Sequence, residues 1–143
     1  MSGPLTFSRF VLVVAEARDA SADEVEPTIS RSKALTALIA PFGGPDEFVL
    51  YPDPLEQAAL CCVALIRHRP LAHDNKRVAY RCMLEMLVPY PRAQFDAASK
   101  KIAEMLDGVA DGTTGEEKFV DWVYAEAGDA ASLRYQRQWG AMA

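Results

Sequence analysis

Apolar residues recur along the chain at helical spacing, in blocks separated by short stretches rich in proline, glycine and charge. The first block runs from Thr6 or Ser8 to Arg18, with a hydroxyl at its start and a stripe of Phe7, Phe10, Val11, Val14 and Ala15. The run Val11-Leu12-Val13-Val14 also suits a strand, but Ala15-Glu16-Ala17-Arg18 continues it without a break signal, which favours helix. Residues 19–29 are acidic and small, contain Pro27, and read as a loop. Ser30 or Ser32 then opens a helix whose buried face is expected to include Leu35, Leu38 and Ile39, and Pro41 stops it. Residues 42–45 read as a turn, and 48–51 as a short apolar, extended segment.

The later blocks carry clearer punctuation. Asp53 is a good N-cap, Pro54 suits the first helical position, and Glu56 complements the positive end of a helix running to about His68. Pro70 ends it. Asp74 is the next N-cap candidate, for a helix from Asn75 to about Leu87. Its expected core face is Val78, Ala79, Cys82, part of Leu84–Met86, and Val88, and Pro89 and Pro91 close it. From Pro91 a long amphipathic helix is predicted through Phe95, Ala98, Ser99, Ile102, Met105 and Leu106, with Gly108 near its end. Thr113 or Thr114 can cap a further helix carrying Phe119, Val120, Val123 and Tyr124. Leu133, Tyr135 and Trp139 in the tail suit a last short helix. The pattern predicts one compact all-α domain of about six helices spanning 1–143, with a core over about 5–125 and a tail or short helix over 126–143.

Composition narrows the class. With 143 residues, half of them hydrophobic, the chain can bury a core without staples. No apolar run approaches the roughly 18 residues of a membrane span. Phe10–Ala17 is also too short, with no small-residue cleavage site, so neither a membrane partner nor a signal peptide is expected. Cys61, Cys62 and Cys82 are odd in number, lie inside apolar runs and show no CxxC or Cys/His spacing. They read as small buried hydrophobes in a reducing, cytoplasmic compartment.

The net charge of −5 argues against nucleic acid as a partner. The charge is unevenly placed, however. Arg67, Arg69, Lys76, Arg77 and Arg81 crowd the centre, while acids dominate 16–26 and 104–126. That asymmetry points to a small anionic ligand or phosphate, with a solvated basic face as the plain alternative.

Both histidines, His68 and His73, lie in the polar stretch Arg67–Arg77 between two apolar helices. With Asp74 as N-cap, the N–H groups of roughly residues 75–77 have no helical partner, and such a helix start attracts anions. Arg77 suits bidentate phosphate contacts, Lys76 a point-charge contact, and the Asn75 amide a further hydrogen bond. Two cations there oppose the helix dipole unless an anion is present, a local inconsistency typical of functional sites. The alternative pairs Lys76 and Arg77 with Asp74, Glu47 or Glu85 and leaves the histidines as exposed imidazoles at helix ends.

Asn75-Lys76-Arg77 at a helix start resembles the end of the Fic/Doc (Fido) family signature, H-P-F-x-D-G-N-K-R. Residues 51–59, Leu65-Ile66-Arg67, Phe42-Gly43-Gly44 and Phe119-Val120-Asp121-Trp122 resemble the surrounding segments of Doc-like (death-on-curing) members. The likeness covers about residues 5–125. It implies a helical Fic/Doc-like domain that binds nucleotide phosphates at the 69–77 loop, with Asn75, Lys76 and Arg77 holding them. Mg2+ with ATP or another nucleoside triphosphate is the implied cofactor. An active member would be a transferase moving phosphate or a nucleotide to a hydroxyl of a target protein, and Lys76 favours the Doc branch. That branch is associated with phosphorylation, translation arrest and toxin–antitoxin pairing, so a small antitoxin is an implied partner.

The motif also departs from the family. Pro70 and Leu71 match its proline and apolar positions, but its catalytic histidine falls on Arg69, its metal-binding acid on His73 and its first glycine on Asp74. Arginine stays protonated and is a poor base. His73 is then the candidate base or metal ligand, and Asp74 takes the metal if the turn shifts by one residue. The alternative reading is a diverged, catalytically impaired domain that binds a phosphate ligand or a protein through the same pocket.

Overall fold

The computed structural model describes residues 5–42, 53–90, 95 and 97–127. Among them are seven α-helices: α1 Phe7–Arg18, α2 Ala22–Val25, α3 Arg31–Ile39, α4 Pro54–His68, α5 Asn75–Leu87, α6 Ser99–Asp111 and α7 Glu116–Glu126. One 3-10 turn, Glu26–Thr28, follows α2. These residues include no strand, so the all-α expectation holds. The segments read as a turn over 43–45, as extended over 48–51 and as a tail helix beyond 127 lie outside the described residues.

The count differs from six because of α2, which falls in the stretch read as a loop. Ser21-Ala22-Asp23-Glu24 forms a reciprocal capping box, with the Ser21 hydroxyl accepting from the Glu24 N–H and the Glu24 carboxylate accepting from the Ser21 N–H. Val25 buries and holds this turn on the core.

Helix α4 is the axis of the domain. Leu55–Val63, Leu65 and Ile66 are all buried, as expected for a helix apolar on most sides, and α3, α5, α6 and α7 pack around it. Its start is set by Asp53, whose Oδ1 accepts from the Leu55 N–H at 2.9 Å while its other oxygen accepts from the buried Tyr124 hydroxyl of α7. One carboxylate thus caps the central helix and ties it to the last described helix.

Several faces differ from the periodicity reading. In α3 the buried side is Ala34, Ala37 and Leu38, with Leu35 partly and Ile39 half exposed. The small residues let α3 approach α4 closely, which outweighs side-chain size. In α5, Met83 and Leu87 turn inward and Val88 is 72% exposed. Helix α6 starts at Ser99 rather than near Pro91, and Phe95 stands ahead of it with its ring edge-on to Tyr80 and Trp122. Neither Thr113 nor Thr114 caps α7. Gly115 holds that position, Thr113 donates to Asp111, and Thr114 is buried.

Gly108 explains why. The Thr114 N–H folds back onto the Gly108 carbonyl at 2.9 Å, and a β-carbon at 108 would lie 2.1 Å from the Thr114 hydroxyl oxygen and 3.0 Å from its Cβ. The close return of the α6–α7 loop therefore needs glycine inside α6. Overpacking of this kind costs about 1–3 kcal/mol, against about 1 kcal/mol of helix propensity that alanine regains. Gly108→Ala is expected to lower the midpoint of urea unfolding, and a Gly108→Ala/Thr114→Ala double variant to recover part of the loss.

Candidate functional site

The α4–α5 turn buries Pro70 and Leu71 between exposed residues on either side. Arg69 ends α4 in the left-handed region (φ 53°, ψ 63°), with its N–H donating to the Leu65 carbonyl. Pro70 and Leu71 then bury, and the Pro70 carbonyl accepts from the Ser30 N–H at 2.8 Å, fixing the turn to the start of α3. The Asn75 amide closes the turn from the other side. Its Oδ1 accepts from the Leu71 N–H at 3.0 Å and its Nδ2 donates to the Leu71 carbonyl at 2.8 Å.

The Asn75 side chain is therefore committed to Leu71, and the ligand contact expected of it falls to its backbone N–H at the helix start. The first α5 hydrogen bond runs from the Val78 N–H to the Asp74 carbonyl, so the N–H groups of 75–77 precede the helical ladder. Asp74 occupies the N-cap position but does not cap with its side chain. It sits in the left-handed region (φ 68°), and its carboxylate turns away.

That carboxylate is surrounded by positive charge. Asp74 Oδ2 lies 2.8 Å from His73 Nδ1, 3.8 Å from Arg18 Nε and 3.8 Å from Arg77 Nη2. The hydrogen bond from His73 is the main reason the Asp74 carboxyl titrates below the ordinary aspartate value, with smaller help from the Arg77 and Arg18 charges. Arg18 also donates to the His73 carbonyl at 3.1 Å, and Arg77 to the Ala17 carbonyl at 2.7 Å, so the end of α1 braces the turn. Lys76 reaches across to Asp107 of α6 at 2.6 Å.

A cavity of about 890 Å3 opens beside this turn. Arg69, His73, Asp74, Asn75, Lys76 and Arg77 line its polar side. Ile66, Tyr80, Ile102, Ala103, Leu106 and Ala110 line an apolar wall, with Ser99 and Asp107 on the same side. All six residues singled out from the sequence thus meet at one cavity. Arg67 instead pairs with Glu116 at 3.1 Å, and His68 and Arg81 are exposed and do not line the cavity. Comparison with protein-family models, curated proteins and solved structures finds no match.

The reading of the motif missed the opposite wall and Arg18. Ser99, Ile102, Ala103, Leu106 and Ala110 recur at spacings of three and four, a signal visible in the sequence. Nothing in that spacing says which face meets the α4–α5 turn. Tyr80 follows from Lys76 by one helical turn, and burial raises its phenol above the ordinary value, so it stays a hydrogen-bond donor at neutral pH. The cysteines are elsewhere. All three are free and buried, and burial pushes the Cys61 thiol up to about 12, which leaves no nucleophilic thiolate there.

The donor set does not fit a divalent cation. Among the described residues no three His, Cys, Asp or Glu side chains converge to hold a metal. Asp74, the metal candidate, already faces the guanidinium groups of Arg18 and Arg77, whose charge opposes a cation at this carboxylate. The cations around the turn suit phosphate oxygens instead.

Because the Asp74 carboxyl is lowered in the folded chain, its stabilisation is present above the unfolded aspartate value and is lost as pH falls through the folded one. A third of its side chain stays exposed, so salt screens the effect. The stability gap between the parent and Asp74→Asn, measured by urea unfolding, is expected to be open at about pH 7 and to close towards about pH 2.5. A gap that persists undiminished at the acid end contradicts this account.

Proposed function

We propose that the cavity binds a phosphate-bearing ligand of nucleotide type, and that the chain is a diverged Fic/Doc-like domain that keeps the phosphate-holding half of the motif. The observation that carries the reading is the convergence of Arg69, Lys76 and Arg77 with the uncapped start of α5 on one cavity. The apolar wall opposite suits a base or another flat apolar body. Two further features agree with the family resemblance. The motif's glycine position, Asp74, adopts the left-handed conformation at which glycine is at home, and Asn75 sits at the start of the helix that follows the motif.

Arg69 is the cation best placed to be free for a ligand. Among the described residues it shows no side-chain hydrogen bond or ion pair, while Lys76 and Arg77 each hold a protein oxygen. It also sits in a backbone conformation that costs a non-glycine residue about 1–2 kcal/mol. The same left-handed conformation ends α1 at Asp19, so it marks a helix termination, and the case for Arg69 rests on its unpaired guanidinium at the cavity. Arg69→Gly is expected to raise stability by about 0.5–1 kcal/mol, the strain relief less the extra freedom glycine gives the unfolded chain. The same variant is expected to weaken calorimetric binding of ATP or inorganic phosphate by roughly tenfold. If the parent binds neither, or Arg69→Gly binds equally well, the anion-pocket reading is wrong.

The bond between His73 and Asp74 favours a second reading, transfer to a hydroxyl of a target protein. Asp74 engages Nδ1 of His73, a residue that lines the cavity, which leaves Nε2 to take the proton of an acceptor hydroxyl as its oxygen bonds to phosphorus and ADP (phosphate transfer) or pyrophosphate (nucleotide transfer) departs. Label from γ- or α-labelled ATP incubated with the protein and a cell lysate is then expected on a protein acceptor and absent with His73→Ala. Transfer that survives His73→Ala rules out His73 as the base.

A further inference from the structure

We infer that this pocket takes its phosphate ligand without a divalent cation, and that Asp74 acts as an internal anion which the ligand must displace or tolerate. The inference rests on the anion-pocket reading and deepens it. Both carboxylates at the cavity are held by the protein's own cations. Asp74 lies against His73, Arg18 and Arg77, and Asp107 against Lys76. A metal carried on the ligand's phosphates would need one or two protein carboxylates, and both at this cavity are already paired with cations; a cation entering between Arg18 and Arg77 would also meet two positive charges at close range. The Arg18 Nε–H is itself buried with no hydrogen-bond partner, so the cluster has donor capacity beyond what Asp74 accepts.

The charge balance sets the sign of two effects. A nucleotide complexed with Mg2+ has lost much of the negative charge that Arg69, Lys76 and Arg77 would attract, so the metal-free form binds better. The Asp74 carboxylate repels an incoming phosphate across the first turn of α5, so its removal strengthens binding. A metal-ligand role predicts the opposite in both cases. Asp74→Asn separates them cleanly, because asparagine keeps the shape and tolerates the left-handed backbone that Asp74 adopts.

The test is calorimetric titration of ATP into the full chain, with excess EDTA and with saturating Mg2+, for the parent and Asp74→Asn. The parent is expected to bind equally or up to about threefold more tightly in EDTA, and Asp74→Asn about threefold more tightly than the parent in EDTA, the effect of one partly exposed like charge. Tighter binding by the parent with Mg2+ than in EDTA, or binding only with Mg2+, overturns the inference and leaves the anion pocket standing, as does unchanged or weaker binding by Asp74→Asn in EDTA. Absence of binding by the parent in both conditions overturns the pocket and the inference together. The parent arms use no variant, so they decide the metal question even if Asp74→Asn folds poorly.

Discussion

The bracket that Asn75 places on the Leu71 peptide is the contact on which the rest of the site depends. A buried peptide offers one donor and one acceptor and must satisfy both, and the Asn75 amide supplies the matching pair from a single side chain. The match also fixes the orientation of the amide, because a flipped group would set donor against donor. With Leu71 held, Pro70 is pinned against the start of α3, Arg69 is left at the surface, and α5 begins at a set height above the cavity. The two hydrogen bonds together supply about 1–3 kcal/mol, enough to hold a short turn between helices whose burial is independent of it.

Around that bracket the backbone is strained on both sides. Arg69 and Asp74 are two of the three non-glycine residues with positive φ among those described, and both line the cavity. The third, Asp19, ends α1 as Arg69 ends α4, with its N–H donated to carbonyls of the last turn, but it does not line the cavity. At Arg69 and Asp74 the left-handed geometry lets six residues, 69–74, turn the chain from the end of one helix into the start of the next while Leu71 stays buried. Glycine would do this at lower cost. Arginine and aspartate instead place a free cation and a shielded anion at the cavity mouth.

The electrostatics then follow from three helices. α1 contributes Arg18 and the Ala17 carbonyl, α5 contributes Lys76 and Arg77, and α6 contributes Asp107. Lys76, Arg77 and Asp107 are exposed enough to be weak singly, while Arg18 is largely buried. Their value lies in arrangement: the acids neutralise the cations in the absence of a ligand, which relieves the repulsion that adjacent cations at a helix start would otherwise create. The proposed preference for an anion over a metal rests on the same pairing.

How much of this was legible in the chain depended on the range of the interaction. Local chemistry set the ends of α4 and the start of α5: Asp53 caps with its side chain, Pro54 and Pro70 act through fixed dihedrals, and Asp74 takes the N-cap position with a left-handed backbone and no side-chain cap. The same local chemistry carried the capping box Ser21–Glu24, which acidic composition masked. The sequence by itself therefore determined an all-α chain, the two helices that flank the turn, and the cluster of Arg69, His73, Asp74, Asn75, Lys76 and Arg77 between them. Only the tertiary structure decided what those side chains face. Periodicity cannot choose between Leu35 and Ala34 as the buried side of α3, nor say that Ile102 and Leu106 oppose Arg69, because face selection is set by packing against partners far away in sequence. Nor does a carboxylate at residue 74 announce whether it will hold a metal or two guanidinium groups. The contact with Arg18 comes from the packing of α1 against α5, which the sequence does not display.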